Sequence, residues 1–258
     1  MTRGVEGVAG RRGVLTRGFG AQVRAEVTMT LRRGESLLLT LGIPIVLLGF
    51  FTLIGYPDRS MTGGVDTIAF LAPGVIALAV MSTAMVGLGI ATGFERQYGV
   101  LKRLATTPLG RPALIGAKIA AVGVVELLQV VVLVIAGVLL GWQPRGDVVS
   151  AIVLVALATL AFAGLGLLMA GTLRGEVTLA AANGLYLLLL LLGGMVVPLS
   201  KLPGAVQGLA RALPAAALAD ALHAILGTGS AVPGRAWLVL IAWAVAGPAA
   251  AALTFRWE

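Results

Sequence analysis

Six long apolar runs, separated by short polar breaks, set the plan of this chain. They are Leu37–Ile54, Ile68–Gly93, Leu114–Leu140, Val148–Leu173, Val177–Val197 and Ala236–Phe255. A helix rising 1.5 Å per residue needs about 20 apolar residues to cross the hydrocarbon of a bilayer. Each run is therefore predicted to be a membrane-spanning helix. The first is the shortest, and Pro44 is expected to kink it, because proline cannot donate to the helical ladder. Turn chemistry marks the breaks at Tyr56-Pro57-Asp58, Gln143-Pro144-Arg145-Gly146 and Arg174-Gly175-Glu176. The predicted fold class is all-α and polytopic, with a leader over 1–36 and a six-span domain over 37–258.

Three segments stay outside the hydrocarbon: the leader, 198–235 and 94–113. Residues 1–14 are rich in Gly and Arg and are expected to be disordered. Over 15–34, Phe19, Val23, Val27 and Leu31 recur at four-residue steps, with Arg17, Arg24 and Arg32 towards the other side. This stripe predicts an amphipathic helix lying on a membrane surface. The segment 198–235 is punctuated by Pro198, Pro203, Pro214 and Pro233. It carries one stripe at Leu202, Val206, Leu209 and Leu213 and another at Leu218, Leu222 and Ile225. These faces are too short to span. They suit either re-entrant helices that dip into one leaflet or helices resting on the lipid surface.

The third segment, 94–113, is a charged island between two apolar runs: Glu95-Arg96-Gln97-Tyr98-Gly99-Val100-Leu101-Lys102-Arg103-Leu104, ending at Thr107-Pro108. A charge at the centre of a span costs about 2.5–3.5 kcal/mol on insertion scales, so the island must lie outside the bilayer. Read as a helix, it puts Val100, Leu101 and Leu104 on one side and Arg96, Lys102 and Arg103 elsewhere. Gly99 permits a bend, and Thr107-Pro108 is expected to end the helix. Such a helix across the base of two spans would act as a lever on both.

Composition agrees with the pattern. The chain has 258 residues, 59% hydrophobic and 12% charged, where a soluble domain carries about 25% charged. Its mean hydropathy is +1.01 and its net charge +8. The basic residues cluster beside apolar spans, which argues for orientation and against nucleic-acid binding. Fourteen of them fall on the side of the termini and the charged island, and five on the other. By the positive-inside rule the termini and the island are cytoplasmic. The absence of cysteine excludes disulfides and thiolate metal sites, and a single histidine, His223, leaves no expected metal site. His223 is expected to be an ordinary polar residue of the external segment.

Hydrolytic chemistry finds no home in the chain. The nearest approach to a phosphate loop, Gly110 through Lys118, has the wrong spacing, no Ser or Thr after the lysine, and runs into a span. Any use of ATP must come from a partner. Within the spans, Glu126 and Gln129 share one helix face near mid-depth. Buried polar groups of this kind mark either a pathway or an interhelical hydrogen-bonded clamp, the clamp being preferred. Asn183 and Tyr186 form a second polar face, with a clamp again preferred. Gly89-x-x-x-Gly93 and Gly137-x-x-x-Gly141 fit close helix packing.

The order Glu95-Arg96, Gly99, Leu101, Lys102-Arg103-Leu104, Thr107-Pro108, then Arg111 and Lys118, resembles the cytoplasmic loop of type-2 ABC exporter permeases, bacterial exporters of drugs, lipids and polysaccharides. The likeness extends to the six-span layout, the basic surface helix and the Pro198…Leu202-Pro203 segment. It implies that Glu95–Leu104 form a coupling helix docking on a separate ATPase subunit, which binds ATP and Mg, while this chain holds no cofactor and is not itself an enzyme. It also implies two ATPase copies and two permease copies, as a homodimer or with a sister permease. The external Pro198, Leu202, Pro203 and Pro214 would belong to re-entrant helices closing the outer mouth. The expected function is export of an amphipathic drug, lipid or glycolipid-like substrate across the bacterial cytoplasmic membrane. These spans are poor in aromatics, which departs from a pathway for flat drugs. The competing expectations are a proton-coupled secondary transporter using Glu126 and a non-transporting envelope-assembly scaffold.

Overall fold

The computed structural model describes residues 3–32, 34–105 and 109–256, with side chains over 17–32, 41–104 and 109–256. Every regular element among them is helical. They are α1 (Arg3–Arg32), α2 (Gly34–Ile54), α3 (Thr67–Gln97), α4 (Val100–Ala105), α5 (Gly110–Leu139), α6 (Val148–Thr172), α7 (Gly175–Leu192), α8 (Gly204–Ala210), α9 (Pro214–Thr228) and α10 (Gly234–Thr254). Helices α3, α5, α6, α7 and α10 are long and apolar enough to cross a bilayer; the bent pair α8 and α9 would bring these to six if counted as one span, and α2 holds a shorter apolar stretch, Leu41–Ile54. The chain is a polytopic all-α membrane protein, as the apolar runs predict.

Several boundaries differ from expectation for local reasons. Helix α1 begins at Arg3, so of the disorder expected over 1–14, the described residues 3–14 are helical instead. The residues between its early glycines, such as Glu6, Ala9, Arg11 and Arg12, are good helix formers. Helix α2 continues through Pro44 without a break. The fifth span stops at Leu192 and not at Val197, because Gly194 takes φ +68° and turns the chain. Inside α3 the segment Ser82–Gly87 is π-helical, a local widening that the sequence pattern does not announce.

Helix α3 is the axis of the bundle. Its run from Phe70 to Met81 is buried throughout, while α5, α7 and α10 keep broad exposed faces. Lipid offers apolar surface as readily as protein does, so helix association here rests on close van der Waals approach at small residues. A Cβ added at Gly89 of α3 would lie 3.1 Å from Gly166 Cα of α6. One added at Gly164 of α6 would lie 2.4 Å from the Gly247 carbonyl carbon of α10. Gly93 meets Thr178 of α7, so the Gly89-Gly93 pair serves two contacts. Of the second predicted pair, Gly137 meets Trp142, but Gly141 sits in a turn at φ +94° with open space about it.

The two ends of the bundle are built differently. At one end α1 lies along the first half of α5, with Phe19 against Gly116 and Leu109 against Gly18. Phe19, Val23 and Val27 of the predicted stripe are partly buried there, while Leu31, Arg17, Arg24 and Arg32 are exposed. The chain's C-terminal segment reaches the same end, where Arg256 N donates to Gly171 O. At the opposite end the segment after α7 folds inwards. Helices α8 and α9 meet at 89°, and Leu218, Leu222 and Ile225 are buried against α3, α6 and α10. Helix α9 is thus packed into the bundle along this face. In the other stripe Leu202, Val206 and Leu213 are partly buried, but Leu209 is exposed and Ala210 takes the buried place. His223 is more than a surface residue. Its ring stacks on Phe70 with centroids 4.2 Å apart, and Nε2 lies 2.9 Å from Phe70 O, fastening α9 to α3.

Candidate functional site

The charged island does not form one helix. Glu95, Arg96 and Gln97 are the last turn of α3, Tyr98 and Gly99 break it, and α4 restarts at Val100. Gly99 has φ +71°, a conformation an L side chain rarely adopts, so the bend that glycine permits is the one made here. The expected ending of this helix at Thr107-Pro108 lies outside the described residues.

The three residues before the break turn inwards and brace the base of the bundle. Glu95 pairs with Lys118 of α5 at 2.7 Å, and Lys118 pairs with Glu26 of α1, also at 2.7 Å. The Lys118 side chain is almost wholly buried, so the two carboxylates serve as its replacement for water. Arg96 donates to the carbonyls of Gly171 and Leu173, satisfying two of the orphan acceptors at the end of α6. Gln97 accepts from Gly175 N and donates to Glu176 Oε1, each at 2.8 Å, holding the start of α7. The end of α3 is thus fastened to α1, α5, α6 and α7 by three consecutive side chains.

Helix α4 presents the outward face. Tyr98, Val100, Lys102 and Arg103 are exposed, Leu104 is partly buried, and Leu101 is buried. The expectation that Val100, Leu101 and Leu104 share one side is corrected, because Leu101 faces the bundle while Val100 faces out. Glu95, Arg96 and Leu101 were expected among the docking residues, and their side chains are engaged within the chain. Their partners come from elsewhere in the chain: Lys118 lies eight residues into α5, and Glu26 at a partly buried position of α1.

Near the middle of α5 the two polar residues reach different helices. Thr83, in the π segment of α3, donates to Gln129 Oε1 at 2.8 Å. Thr159 of α6 donates to Glu126 Oε2. Glu126 and Gln129 are both buried, so α5 is tied to α3 and α6 by two hydrogen bonds from one face. Neither threonine partner is evident in the sequence, because mid-span threonines ordinarily bond to their own helix.

Asn183 and Tyr186 behave otherwise. Asn183 Nδ2 donates to Leu179 O of its own helix at 2.8 Å, so it clamps nothing, and it is exposed. Together with Ile43, Pro44, Ser82 and Tyr186 it lines a cleft of about 190 Å³ between α2, α3 and α7. A larger, mostly apolar groove of about 650 Å³ opens between α5 and α6, floored by Ile76 and bounded at one end by Trp142 and α9. Of the expected external residues, Pro214 starts α9 and is buried, Pro203 caps α8, and Pro198 and Leu202 flank a single 3₁₀ turn.

Apolar spanning helices, an amphipathic helix at a charged base, and a bent helix pair folded into the opposite end together define a polytopic α-helical membrane protein. The chain belongs to the ABC-2 type transporter family, whose model matches residues 17–226, from α1 through α9. It is also similar to the "Putative transport permease YvfS" of Bacillus subtilis (strain 168), with 26% identity over 201 residues that cover 74% of this chain and 78% of that relative.

Proposed function

We propose that the chain is the membrane permease of an ATP-driven exporter, powered by a separate ATPase subunit. The observation that carries this reading is the bracing of α3 beside an outward-facing α4. A push on Tyr98, Val100 and Lys102 reaches α1, α5, α6 and α7 together, through Glu95, Arg96 and Gln97. The basic bias supports a cytoplasmic position for this end, where ATP and Mg would be bound by the partner. Docking would use the exposed face of α4, while Glu95, Arg96 and Leu101 transmit the displacement.

Two permease copies would complete the transporter, as a homodimer or with a sister chain. Asn183 supports this, since an amide exposed on a mostly apolar span calls for a polar partner or a wet pathway. The cleft between α2, α3 and α7 would then face the second copy and line the route for an amphipathic substrate. The helices α8 and α9 would close the outer mouth.

Co-expression with the ATPase subunit of the proposed transporter tests the reading. Val100→Asp and Tyr98→Asp are expected to abolish ATPase co-purification and transport into inverted vesicles while leaving the permease folded. Unchanged association and transport in both variants would sink the docking assignment.

A further inference from the structure

The groove between α5 and α6 carries chemistry that the coupling reading does not use. Its walls are aliphatic, with Leu127, Val130, Ile152 and Val155 along them. Among the described residues lining it there is no lysine, arginine or histidine. One strongly polar group enters it, the Glu126 carboxyl, on a residue only 2% exposed. Oε2 accepts from Thr159, and Oε1 has no hydrogen-bond partner among the described residues. A buried acceptor left without a donor is costly, and more so when it belongs to a carboxyl group.

We infer that this groove is a binding site for a lipophilic amine, whose protonated nitrogen donates to Glu126 Oε1 while its hydrocarbon lies along α5 and α6. The complementarity is chemical and dimensional. The walls are apolar but for the Thr159 hydroxyl, already bonded to Glu126, and the Trp142 indole N–H, so among the described lining side chains the open acceptor for a ligand's donor is this carboxyl. An N–H donor that is also a cation forms the stronger, charge-assisted bond. A cavity of about 650 Å³ falls in the ordinary range for small-ligand sites of about 300–1,000 Å³. Its wall on α5 runs from Ile119 to Val134, about 22 Å at 1.5 Å per residue, enough for one alkyl chain. The site is separate from the cleft lined by Asn183 and Tyr186, and binding there stands whether or not the amine is carried across the membrane.

Trp142 lines the groove and makes binding visible. The full-length chain bearing Trp237→Phe, Trp243→Phe and Trp257→Phe, in phosphatidylcholine nanodiscs, keeps Trp142 as its only tryptophan. It would be titrated with 11-bromoundecylamine and with 11-bromoundecanol, whose bromine quenches a nearby indole. The amine is expected to quench saturably and about tenfold more tightly than the alcohol, the size expected when a neutral donor is replaced by a charged one. Glu126→Gln is expected to erase that difference. A Cβ at Gly123 meets nothing within 4 Å, so Gly123→Leu should fill the groove without disturbing the fold and weaken both probes. Equal binding of amine and alcohol to the unaltered groove, or amine binding indifferent to both variants, would overturn the assignment. Absence of saturable quenching by either probe would overturn it as well, as it would if a second copy covered the groove.

Discussion

Lys118 and Glu95 lie 2.7 Å apart across the gap between the start of α5 and the end of α3, and Glu26 of α1 completes a triad with them. Removing one member of a buried pair leaves the others uncompensated, at a cost of about 3–5 kcal/mol. Lys118→Met should therefore lower the unfolding midpoint of the purified protein sharply. The combined replacement Glu26→Leu, Glu95→Leu, Lys118→Met should recover most of that loss, because apolar groups of similar volume suit the site. If the triad transmits force from α4, the triple variant will be stable yet deficient in ATPase-coupled transport. Full recovery of both properties would show that the triad only holds the helices together.

The crossing of α6 and α10 rests on glycine. A side chain at position 164 would place its Cβ 2.4 Å from the backbone of Gly247 and 2.6 Å from Pro248 Cδ. Backbone cannot yield as a side chain does, so Gly164→Val must spread the two helices. Overpacking of this kind costs about 1–3 kcal/mol. Gly123→Val, at an open position on α5, provides the comparison and should leave the midpoint nearly unchanged. Thermal unfolding in detergent measures both.

Asp147 caps α6 from the end of the bundle opposite α1. It accepts from Val149 N and Ser150 N, each at 3.0 Å, and from Ser150 Oγ at 2.6 Å. These bonds, the Ser150 hydroxyl foremost, hold its carboxyl below the ordinary value of 3.8. A carboxyl whose folded value is depressed stabilises the fold above its unfolded value and loses that contribution as pH falls through the folded one. The cap's contribution should therefore be complete at neutral pH and fade below about pH 4. Asp147→Asn should flatten that part of the pH profile while retaining most of the cap, since Asn accepts the same backbone bonds. An unchanged acid limb in the Asn variant would remove Asp147 from the account.

The spans were legible because an apolar run of this length has few other fates, and the break before α6 was marked by Gln143-Pro144-Arg145-Gly146. The fate of the charged island was not. Charge and a glycine in sequence place Glu95–Leu104 outside the hydrocarbon, but cannot tell an outward docking residue from an inward brace. Glu95 and Arg96 turn inwards because their partners, Lys118 and the end of α6, come from elsewhere in the chain. For the same reason Thr83 and Thr159 could not be paired with Gln129 and Glu126 in advance. Those bonds depend on helix rotation, and for Thr83 on a π segment that one sequence does not encode visibly.

The Thr83–Gln129 bond separates a structural tie from a moving part. Threonine in a span can turn its hydroxyl back to its own helix, so losing Gln129 does not leave Thr83 stranded. Hydrogen bonds between membrane helices average about 0.6 kcal/mol and reach about 1.7 kcal/mol at most. A double-mutant cycle with Thr83→Val and Gln129→Leu should thus give a stability coupling in that range. The bond also holds the segment Ser82–Gly87, where the helix of α3 is widened and its backbone bonding irregular. If this segment changes register during transport, the bond must break and reform in each cycle. The same variants should then alter coupled transport by more than their stability loss accounts for, with ATPase association intact. Transport that falls only in proportion to folded protein would make the bond a static tie.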